Sequence, residues 1–400
     1  MLQGLKVVEY ATYIAAPGCG GMLADWGADV IKVEPPGGDP IRKFFDSIGN
    51  DSPVNPVFDM DNRGKASIVL DTANPDGKAV LQRLAADADV FLTNVRPAGL
   101  ARAGLDYDNL SKLNPKLVYA SVTGYGLQGP DVDRPGFDIT AFWARSGMAV
   151  LMAPKGADPF MIRTAMGDHI TSMATASGVL AALFERTRTG KGRLVEASLM
   201  RAANYAMASD MAIAHTFGKV GSTRARADSI QPLANFFKSR DGRWFVLNPR
   251  QGNADWEPMC RAIDRADLIA DERFTRAKGR RQNGPALVAI VDAAFSRWAF
   301  DEIAARLDAE QLAWAPAQTA VQASKDPQLI AAGGVVDLPL HDGTTVKAPG
   351  APLRFPGADD GPKGPAPRCG EHTRAVLANA GYTPAEIDAL LASGAAREGA

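Results

Sequence analysis

The fold is decided by residues 5–34, LKVVEYATYIAAPGCGGMLADWGADVIKVE, which have the pattern of a strand, a helix and a second strand. The runs at 6–9 and 30–34 are short and rich in β-branched residues, and a helical pattern over 17–26 separates them. A strand, a helix and a strand in succession form the repeating unit of a parallel sheet covered by helices.

The same alternation continues through the first 200 residues. A helix is predicted over 75–88, which opens with proline and aspartate, and a longer Ala-rich helix over 169–186. Further strand-like runs lie at 67–70, 90–94, 117–122 and 193–197. The fold class is therefore predicted to be α/β, with a large Rossmann-like domain built on a parallel sheet.

The pattern changes after a polar, Arg-rich connector at 222–228. Residues 1–221 are predicted to form the first part of the large domain. Residues 222–330 carry a hairpin pattern around Trp244 followed by helical patterns, so they predict a smaller α+β domain. Residues 331–400 are predicted to return to the large domain through a Pro- and Gly-rich extended connector at about 345–368 and two short helices.

Composition excludes several classes of protein. With 46% hydrophobic and 22% charged residues, the chain matches an ordinary globular protein. Its formal net charge of −1 provides no global field for nucleic acid or an anionic membrane, and the longest apolar helical stretch is too short to span a bilayer. Three separated cysteines without CxxC spacing and the lack of a secretory signal pattern predict a cytoplasmic protein.

Common cofactor motifs are also absent. Leu23 stands where a dinucleotide-binding fingerprint needs its third glycine, and Gly190-Lys191 lacks the residues of a phosphate-binding P-loop. The four histidines have no zinc-like spacing, so no metal site is predicted. Neither a redox cofactor nor a metal is expected.

Asp168 is the candidate catalytic residue, because it follows Gly167 at the head of the Ala-rich helix. An aspartate at this place is expected to cap the helix by accepting backbone N–H groups. The same geometry suits a nucleophile, since helix N–H dipoles would lie near a developing oxyanion. Both roles are open on the residues alone.

Several separated motifs stand in a fixed order along most of the chain. They are residues 28–39, Asn62-Arg63-Gly64-Lys65, residues 89–97, 117–126, Gly167-Asp168, 188–192 and 370–382. In these motifs and their order the chain resembles the family III CoA-transferases, which include formyl-CoA transferase and carnitine CoA-transferase.

The resemblance implies a reaction and its site. The reaction is transfer of coenzyme A between an acyl-CoA and a carboxylic acid through a mixed anhydride and an aspartyl-CoA thioester on Asp168. An ordinary aspartate is ionised at neutral pH, with a pKa of about 3.9, and suits this covalent role. The residues expected to bind coenzyme A are Ile14, Ala15, Leu70, Asn94, Val95, Arg96, Arg102 and Phe137.

The resemblance also implies an interlocked homodimer, each chain threaded through the other. Residues 137–147 look most like the branch of the family that acts on 2-hydroxy and aryl acids, although Phe142 and Trp143 are typical core aromatics of a helix.

Two alternatives differ in chemistry. An α-methylacyl-CoA racemase would share the fold and move a proton at the α-carbon, but its histidine base is replaced here by Phe137, followed by Asp138-Ile139-Thr140. A non-catalytic CoA-binding protein would not need Asp168.

Overall fold

The strands follow the alternating pattern of the sequence in this computed structural model, which describes residues 1–49, 54–250 and 252–399. The six strands predicted in the first 200 residues have bounds within one residue of those found. The strands are β1 (Lys6–Tyr10), β2 (Asp29–Glu34), β3 (Ala66–Leu70), β4 (Val90–Thr93), β5 (Val118–Thr123), β6 (Leu194–Ser198), β7 (Asn235–Lys238), β8 (Trp244–Leu247), β9 (Trp314–Pro316), β10 (Val335–Pro339), β11 (Thr345–Pro349) and β12 (Ala396–Arg397).

The helices include every one that the sequence predicts, with longer bounds for the Ala-rich helix. They are α1 (Ala15–Asp25), α2 (Phe44–Ser47), α3 (Pro56–Asn62), α4 (Pro75–Ala86), α5 (Pro97–Ala103), α6 (Tyr107–Leu113), α7 (Met148–Met152), α8 (Met166–Thr189), α9 (Leu199–Ala206), α10 (Ala208–Phe217), α11 (Trp256–Ala262), α12 (Ala277–Gln282), α13 (Gly284–Phe295), α14 (Phe300–Ala309), α15 (Ala320–Ala323), α16 (Pro327–Ala331), α17 (Thr373–Asn379) and α18 (Pro384–Ala392). Within the described ranges, no helix combines the length and apolar character that crossing a membrane requires.

A seven-stranded sheet organises the larger compact unit, which comprises Met1–Val150, Phe160–Val220 and Ile330–Ala400. Its strand order is β12-β3-β2-β1-β4-β5-β6, and every neighbouring pair is parallel except β12 with β3. The order from β3 to β6 is that of a Rossmann sheet, with its reversal between β1 and β4. Ligands of such sheets bind beyond the carboxyl ends of the strands at this reversal.

One apolar cluster fills the space between this sheet and the helices on one of its faces. Val8 and Phe91 from the strands pack there with Leu81 of α4 and Leu377 of α17, and all four are buried. Phe91 also stacks on Tyr119, with 5.2 Å between ring centroids. Burial of several such side chains, each worth about 1.5–3 kcal/mol, holds the sheet and its helices together.

The glycines of α1 allow this helix to pack closely with its neighbours. A Cβ atom at Gly18 would lie 2.6 Å from the Ser172 hydroxyl oxygen on α8, and one at Gly21 would lie 2.7 Å from the Asp61 carbonyl oxygen on α3. Both distances are too short for real contacts, so only glycine fits. The Gly-rich segment therefore serves helix packing, in accord with the missing dinucleotide fingerprint.

The smaller compact unit comprises Leu151–Pro159 and Gly221–Leu329. Its sheet has the order β7-β8-β9 and is antiparallel. Phe237, Phe245 and Phe295 are fully buried in its core and contact one another through their rings.

The predicted extended connector is wrong at its beginning, because Thr345–Pro349 is a strand. This strand pairs with β10 in an antiparallel hairpin, with Val336 opposite Ala348. The turn contains Asp342 and Gly343, and Gly343 has a φ of +83°. Asp-Gly is a strong hairpin signal because glycine adopts such a φ without strain, and here it outweighs the high proline content.

Candidate active site

A cavity of about 520 Å³ lies at the carboxyl ends of β1, β4 and β5 in the larger unit. The segments 12–15, 94–97 and 122–124, which end or follow these strands, form part of its wall. The cavity thus occupies the place where the strand order reverses, which is where the fold predicts a ligand. Asp168 is among the residues that line it.

Asp168 lies in the first turn of α8 and not at its N-cap. The helix begins at Met166, and the N-cap residue is Ala165, whose φ of +70° is left-handed and whose side chain makes no capping bond. The expectation that Asp168 caps the helix is therefore wrong. Its carboxylate accepts no hydrogen bond from the described residues, so it is available to a ligand in the cavity.

Gly167 fixes the start of α8 against a buried aromatic ring. A Cβ atom at this position would lie 2.6 Å from Cγ of Phe142, which is fully buried. Trp143 is also buried and donates its indole N–H to the Phe160 carbonyl oxygen at 2.7 Å. Both aromatics are core residues, as predicted, and their packing sets the position of the adjacent Asp168.

A π-helix at Asp138–Ala144 brings a second carboxylate to the cavity. Its wide turn is visible in the hydrogen bond from the Arg145 N–H to the Thr140 carbonyl oxygen five residues earlier, at 3.1 Å. Asp138 Oδ1 accepts the Ile139 N–H at 2.8 Å, whereas the buried Oδ2 has no hydrogen-bond partner among the described residues. Short π-helical segments are rare and are frequent at functional sites.

The electrostatic surroundings disfavour the charged form of Asp168. Burial is the main cause, and the negative charges of Asp138 and Asp61 add to it, so that the pKa of the Asp168 carboxyl rises to about 7 despite the opposing effect of His169. A carboxyl that is buried near other carboxylates is expected to behave in this way. Perturbed groups of this kind in a cavity are typical of functional sites.

His169 pairs with a buried carboxylate and does not line the cavity. Its Nε2 lies 3.2 Å from Oδ1 of the buried Asp61. Burial lowers the pKa of His169, but the hydrogen bond to Asp61 and the charge of that residue outweigh this effect and leave the pKa raised. His169 is paired with Asp61 and is not in the described lining of the cavity, where Phe137 stands in place of the racemase histidine.

The N-terminus of α1 lies at the wall of the same cavity. Ile14 and Ala15 line the cavity, and α1 begins at Ala15 without a side-chain cap. The first N–H groups of a helix have no partner within the helix, so they can stabilise negative charge. This end of α1 therefore lies where an oxyanion could be bound.

The predicted coenzyme A residues divide into two groups. Ile14, Ala15, Asn94, Arg96 and Phe137 line the cavity. Three others lie outside its described lining: Leu70 and Val95 pack with the apolar cluster beneath the sheet, and Arg102 is in the last turn of α5.

Several lining residues were not predicted from the sequence. Tyr13 contacts Phe137 edge to face at the cavity, with 5.7 Å between ring centroids. Ile41 and Phe44 come from the chain after β2, and Arg134 from the segment before the π-helix. Asp138 had a sequence signal, because it adjoins Phe137 in the segment compared with the racemase, and Pro97 and residues 122–124 fall in motifs of the family resemblance.

Metal-ligating groups are not clustered in the described ranges, where no set of three or more His, Cys, Asp or Glu side chains is placed to hold an ion. The cysteines are free, with Cys19 and Cys260 buried.

Known proteins resemble this chain over nearly its whole length. Residues 2–373 match CoA-transferase family III. The chain is 34% identical to the (R)-2-hydroxy-4-methylpentanoate CoA-transferase of Clostridioides difficile, covering 97% of each protein, and 33% identical to the cinnamoyl-CoA:phenyllactate CoA-transferase of Clostridium sporogenes, covering 98% of this chain and 96% of that one. A crystal structure of a CAIB/BAIF family protein from Brucella suis superposes with a TM-score of 0.83 at 31% identity, covering 95% of this chain and 99% of that one. The chain therefore belongs to CoA-transferase family III.

Proposed function

We propose that Asp168 is the covalent nucleophile of this CoA-transferase and that the 520 Å³ cavity is its active site. The enzyme moves coenzyme A between carboxylic acids. The observation that carries the proposal is a carboxylate in the first turn of α8 that faces this cavity without a hydrogen bond from the described residues. The raised pKa of Asp168 and the N-terminus of α1 at the same cavity give it the surroundings of a reacting group.

In the first half of the reaction, an Asp168 oxygen attacks the thioester carbonyl carbon of the donor acyl-CoA. The carbon–sulfur bond breaks, coenzyme A leaves as a thiolate, and a mixed anhydride remains on the enzyme. The thiolate then attacks the aspartyl carbonyl carbon and releases the donor acid as a carboxylate. The product on the enzyme is an aspartyl-CoA thioester.

In the second half, the acceptor carboxylate attacks the aspartyl thioester and displaces the thiolate, which forms a second mixed anhydride. The thiolate attacks the acyl carbonyl carbon of the acceptor, giving the new acyl-CoA and restoring the Asp168 carboxylate. The carbon–sulfur bond broken in the donor is matched by the one formed in the acceptor, and the bonds to Asp168 are made and then broken, so the cycle needs no oxidant or reductant.

The surroundings of Asp168 suit both halves of this cycle. Burial raises the pKa of the carboxyl, which indicates that its anion is poorly stabilised and therefore reactive. The first N–H groups of α1, beside Ile14 and Ala15, would stabilise the oxyanion of each tetrahedral intermediate.

Coenzyme A is proposed to enter past Asn94 and Arg96, with its thioester toward Asp168 and Phe137 beside it. Arg96 offers a guanidinium to a phosphate group. Contacts with Leu70, Val95 and Arg102 remain part of the predicted binding site and would require coenzyme A to extend beyond the cavity.

The donor and acceptor are proposed to be apolar monocarboxylic acids, of the 2-hydroxy or aryl type. Apolar side chains dominate one part of the lining, with Ile41, Phe44, Ile139 and Leu199 among them. The two relatives named above act on a branched 2-hydroxy acid and on phenyl-substituted acids, as their names state.

The protein is also proposed to form an interlocked homodimer. Residues 222–330 are proposed to form its small domain, and its location is proposed to be the cytoplasm. Apolar side chains are exposed along α8, α9 and α10, and large exposed apolar surfaces are typical of interfaces. They include Met173, Phe184, Tyr205, Ile213 and Phe217.

Trapping the covalent intermediate tests the role of Asp168. The enzyme is incubated with an acyl-CoA, treated with hydroxylamine and digested, and the peptide containing residue 168 is examined by mass spectrometry. A hydroxamate at Asp168 is expected, and Asp138→Asn serves as the matched carboxylate control that should still be labelled. Label at another residue, or full activity of Asp168→Ala, would refute the proposal; the expected loss of turnover is on the order of 10⁴-fold.

A further inference from the structure

The segment from Ala11 to Ala15, which joins β1 to α1, is held by side chains from several other elements. Asn94 Oδ1 accepts the Thr12 N–H at 3.1 Å, and Asn94 Nδ2 donates to the Thr12 carbonyl oxygen at 2.6 Å. The Ser172 hydroxyl of α8 donates to the Ala15 carbonyl oxygen at 2.7 Å. The segment is thereby tied both to β4 and to the helix that carries Asp168.

A buried ion pair holds the middle of this segment. Lys32 and Asp39 are almost completely buried, and Lys32 Nζ lies 2.8 Å from Asp39 Oδ2. The other oxygen of Asp39 accepts the N–H groups of Tyr13 at 3.0 Å and Ile41 at 3.1 Å. Lys32 also donates to the Ala11 carbonyl oxygen at 3.3 Å.

The charges around this pair are balanced. Glu9 Oε1 lies 3.2 Å from Lys32 Nζ, and Glu9 Oε2 lies 2.7 Å from Lys65 Nζ. Two buried lysines therefore face two buried carboxylates. Buried ion pairs are weak sources of stability because both charges must leave water, so their retention calls for another explanation.

The conformation of Tyr13 supplies this explanation. Its φ of +65° is left-handed, which is uncommon for a residue with a bulky side chain and costs on the order of 1–3 kcal/mol. Such a conformation persists only when its surroundings impose it. The bond from the Tyr13 N–H to Asp39 is one of those constraints, and Ile14 and Ala15 follow directly at the cavity wall.

We infer that Asp39, held by Lys32, is a positioning residue for CoA transfer, because it fixes Tyr13 in its left-handed conformation and so places the start of α1 against Asp168. The inference rests on the proposed function of the cavity. It gives a role to the motif at residues 28–39, which the chemistry of Asp168 does not use. Misplacing this segment should slow the chemical step more than it weakens substrate binding.

Two charge-matched double variants isolate the hydrogen bond to Tyr13. Lys32→Met/Asp39→Asn keeps a side-chain oxygen for the Tyr13 and Ile41 N–H groups, whereas Lys32→Met/Asp39→Leu has a similar shape and no acceptor. Each removes one charge of each sign and leaves Glu9 paired with Lys65. We expect the Asn variant to keep its turnover rate within about 3-fold of the wild type, and the Leu variant to turn over about 10- to 100-fold more slowly with KM for acyl-CoA changed less than 3-fold.

A second pair keeps the test decisive if the Leu variant does not fold. Tyr13→Asn and Tyr13→Val both remove the ring and leave the buried charges intact, but asparagine tolerates a left-handed φ and valine does not. The Val variant should turn over at least 10-fold more slowly than the Asn variant. Asp25→Asn, which disrupts the buried Arg63–Asp25 ion pair elsewhere in the same unit, should lower stability and leave the turnover rate within about 2-fold of the wild type.

The outcomes separate this inference from the proposal on which it rests. Equal turnover rates within both pairs, measured on folded protein, would overturn the positioning role of Asp39. Asp168→Ala is assayed in parallel: if it keeps its activity, the proposed nucleophile is wrong, and if it is inactive while both pairs are equal, only the present inference fails.

Discussion

Asp138 and Asp168 place two carboxyl groups in one cavity, and the negative charge of Asp138 is second only to burial among the causes that raise the pKa of Asp168 to about 7. Asp138 Oδ2 is buried and has no hydrogen-bond partner in the described part of the chain. The ionised form of Asp168 is therefore less stable than that of an ordinary aspartate.

This relationship predicts the pH dependence of the transfer. Only the ionised Asp168 can attack a thioester, so kcat/KM should rise with pH and level off above a midpoint near 7. Asp138→Asn removes a negative charge, lowers the pKa of Asp168 and should move that midpoint to lower pH. The measurement is log kcat/KM between about pH 5 and pH 9 with one acyl-CoA and one acceptor acid.

Asp131→Asn is the matched control for the pH profile. Asp131 forms ion pairs with Arg145 and Arg134 and is not among the charges that shift the pKa of Asp168. Its midpoint should equal that of the wild type. A midpoint that is the same in Asp138→Asn as in the wild type would contradict the electrostatic coupling of the two carboxyl groups.

The same pKa has a consequence for stability. The pKa of Asp168 in the folded chain, about 7, lies above the value of about 3.9 expected in the unfolded chain. The folded state then binds the proton more tightly, and the stabilisation present below pH 4 is lost as the pH rises through 7. Asparagine does not ionise, so Asp168→Asn does not lose stability in this way. The Tm of the variant minus the Tm of the wild type should therefore increase as the pH rises from 4 to 8.

Thermal unfolding at pH 5 and pH 8 tests this prediction. The exposed Asp108 provides a control, because Asp108→Asn should give a Tm difference that is nearly the same at both pH values. A Tm difference for Asp168→Asn that shrinks toward pH 8 would have the wrong sign for a raised pKa.

The sheet was predictable because its strands carry their own signal. Strands buried on both faces are nearly continuous apolar runs bounded by turn residues, as at Val90–Thr93, and their length is set locally. The two-residue β12 has no such run. It exists because Ala396 pairs with Leu70 near the other end of the chain, a contact that no local pattern encodes.

The site was predictable only in part for a related reason. Asp168 is marked by the preceding glycine and the helix that follows, but the left-handed Ala165 that shifts the N-cap away from Asp168 leaves no trace in the composition. The raised pKa depends on Asp138 and Asp61, which come from a π-helix and from α3. Their approach to Asp168 is a property of the packed fold.

Gly167 should contribute to both the stability of the fold and the rate of catalysis. Gly167→Ala would place a methyl group 2.6 Å from the buried Phe142 ring, so either the ring or the start of α8 must move. We expect a destabilisation of about 1–3 kcal/mol, as for overpacking, and turnover slower by about 10-fold or more because Asp168 moves with the helix. Urea unfolding and steady-state kinetics measure the two effects.

A second substitution tests whether the clash is the cause. Phe142→Leu in the Gly167→Ala background makes room for the methyl group and should restore part of both the stability and the turnover rate. Gly37→Ala, where a Cβ atom would meet nothing within 4 Å, is the neutral control. Failure of Phe142→Leu to restore either quantity would show that the ring does not set the position of Asp168.

Arg96 and Arg102 were both predicted to bind coenzyme A, but only Arg96 belongs to the described lining of the cavity. A charge-assisted hydrogen bond to a phosphate is worth about 1.5–3 kcal/mol, so Arg96→Gln should raise KM for acyl-CoA by about 10- to 100-fold with a smaller change in the turnover rate. Arg102→Gln should raise KM less, by under about 3-fold, because Arg102 lies outside the described lining of the cavity and any contact it makes with coenzyme A is screened by water. Initial rates over a range of acyl-CoA concentrations at fixed acceptor compare the two variants. A larger effect at Arg102 than at Arg96 would mean that the phosphates of coenzyme A are held mainly across α5, outside the cavity.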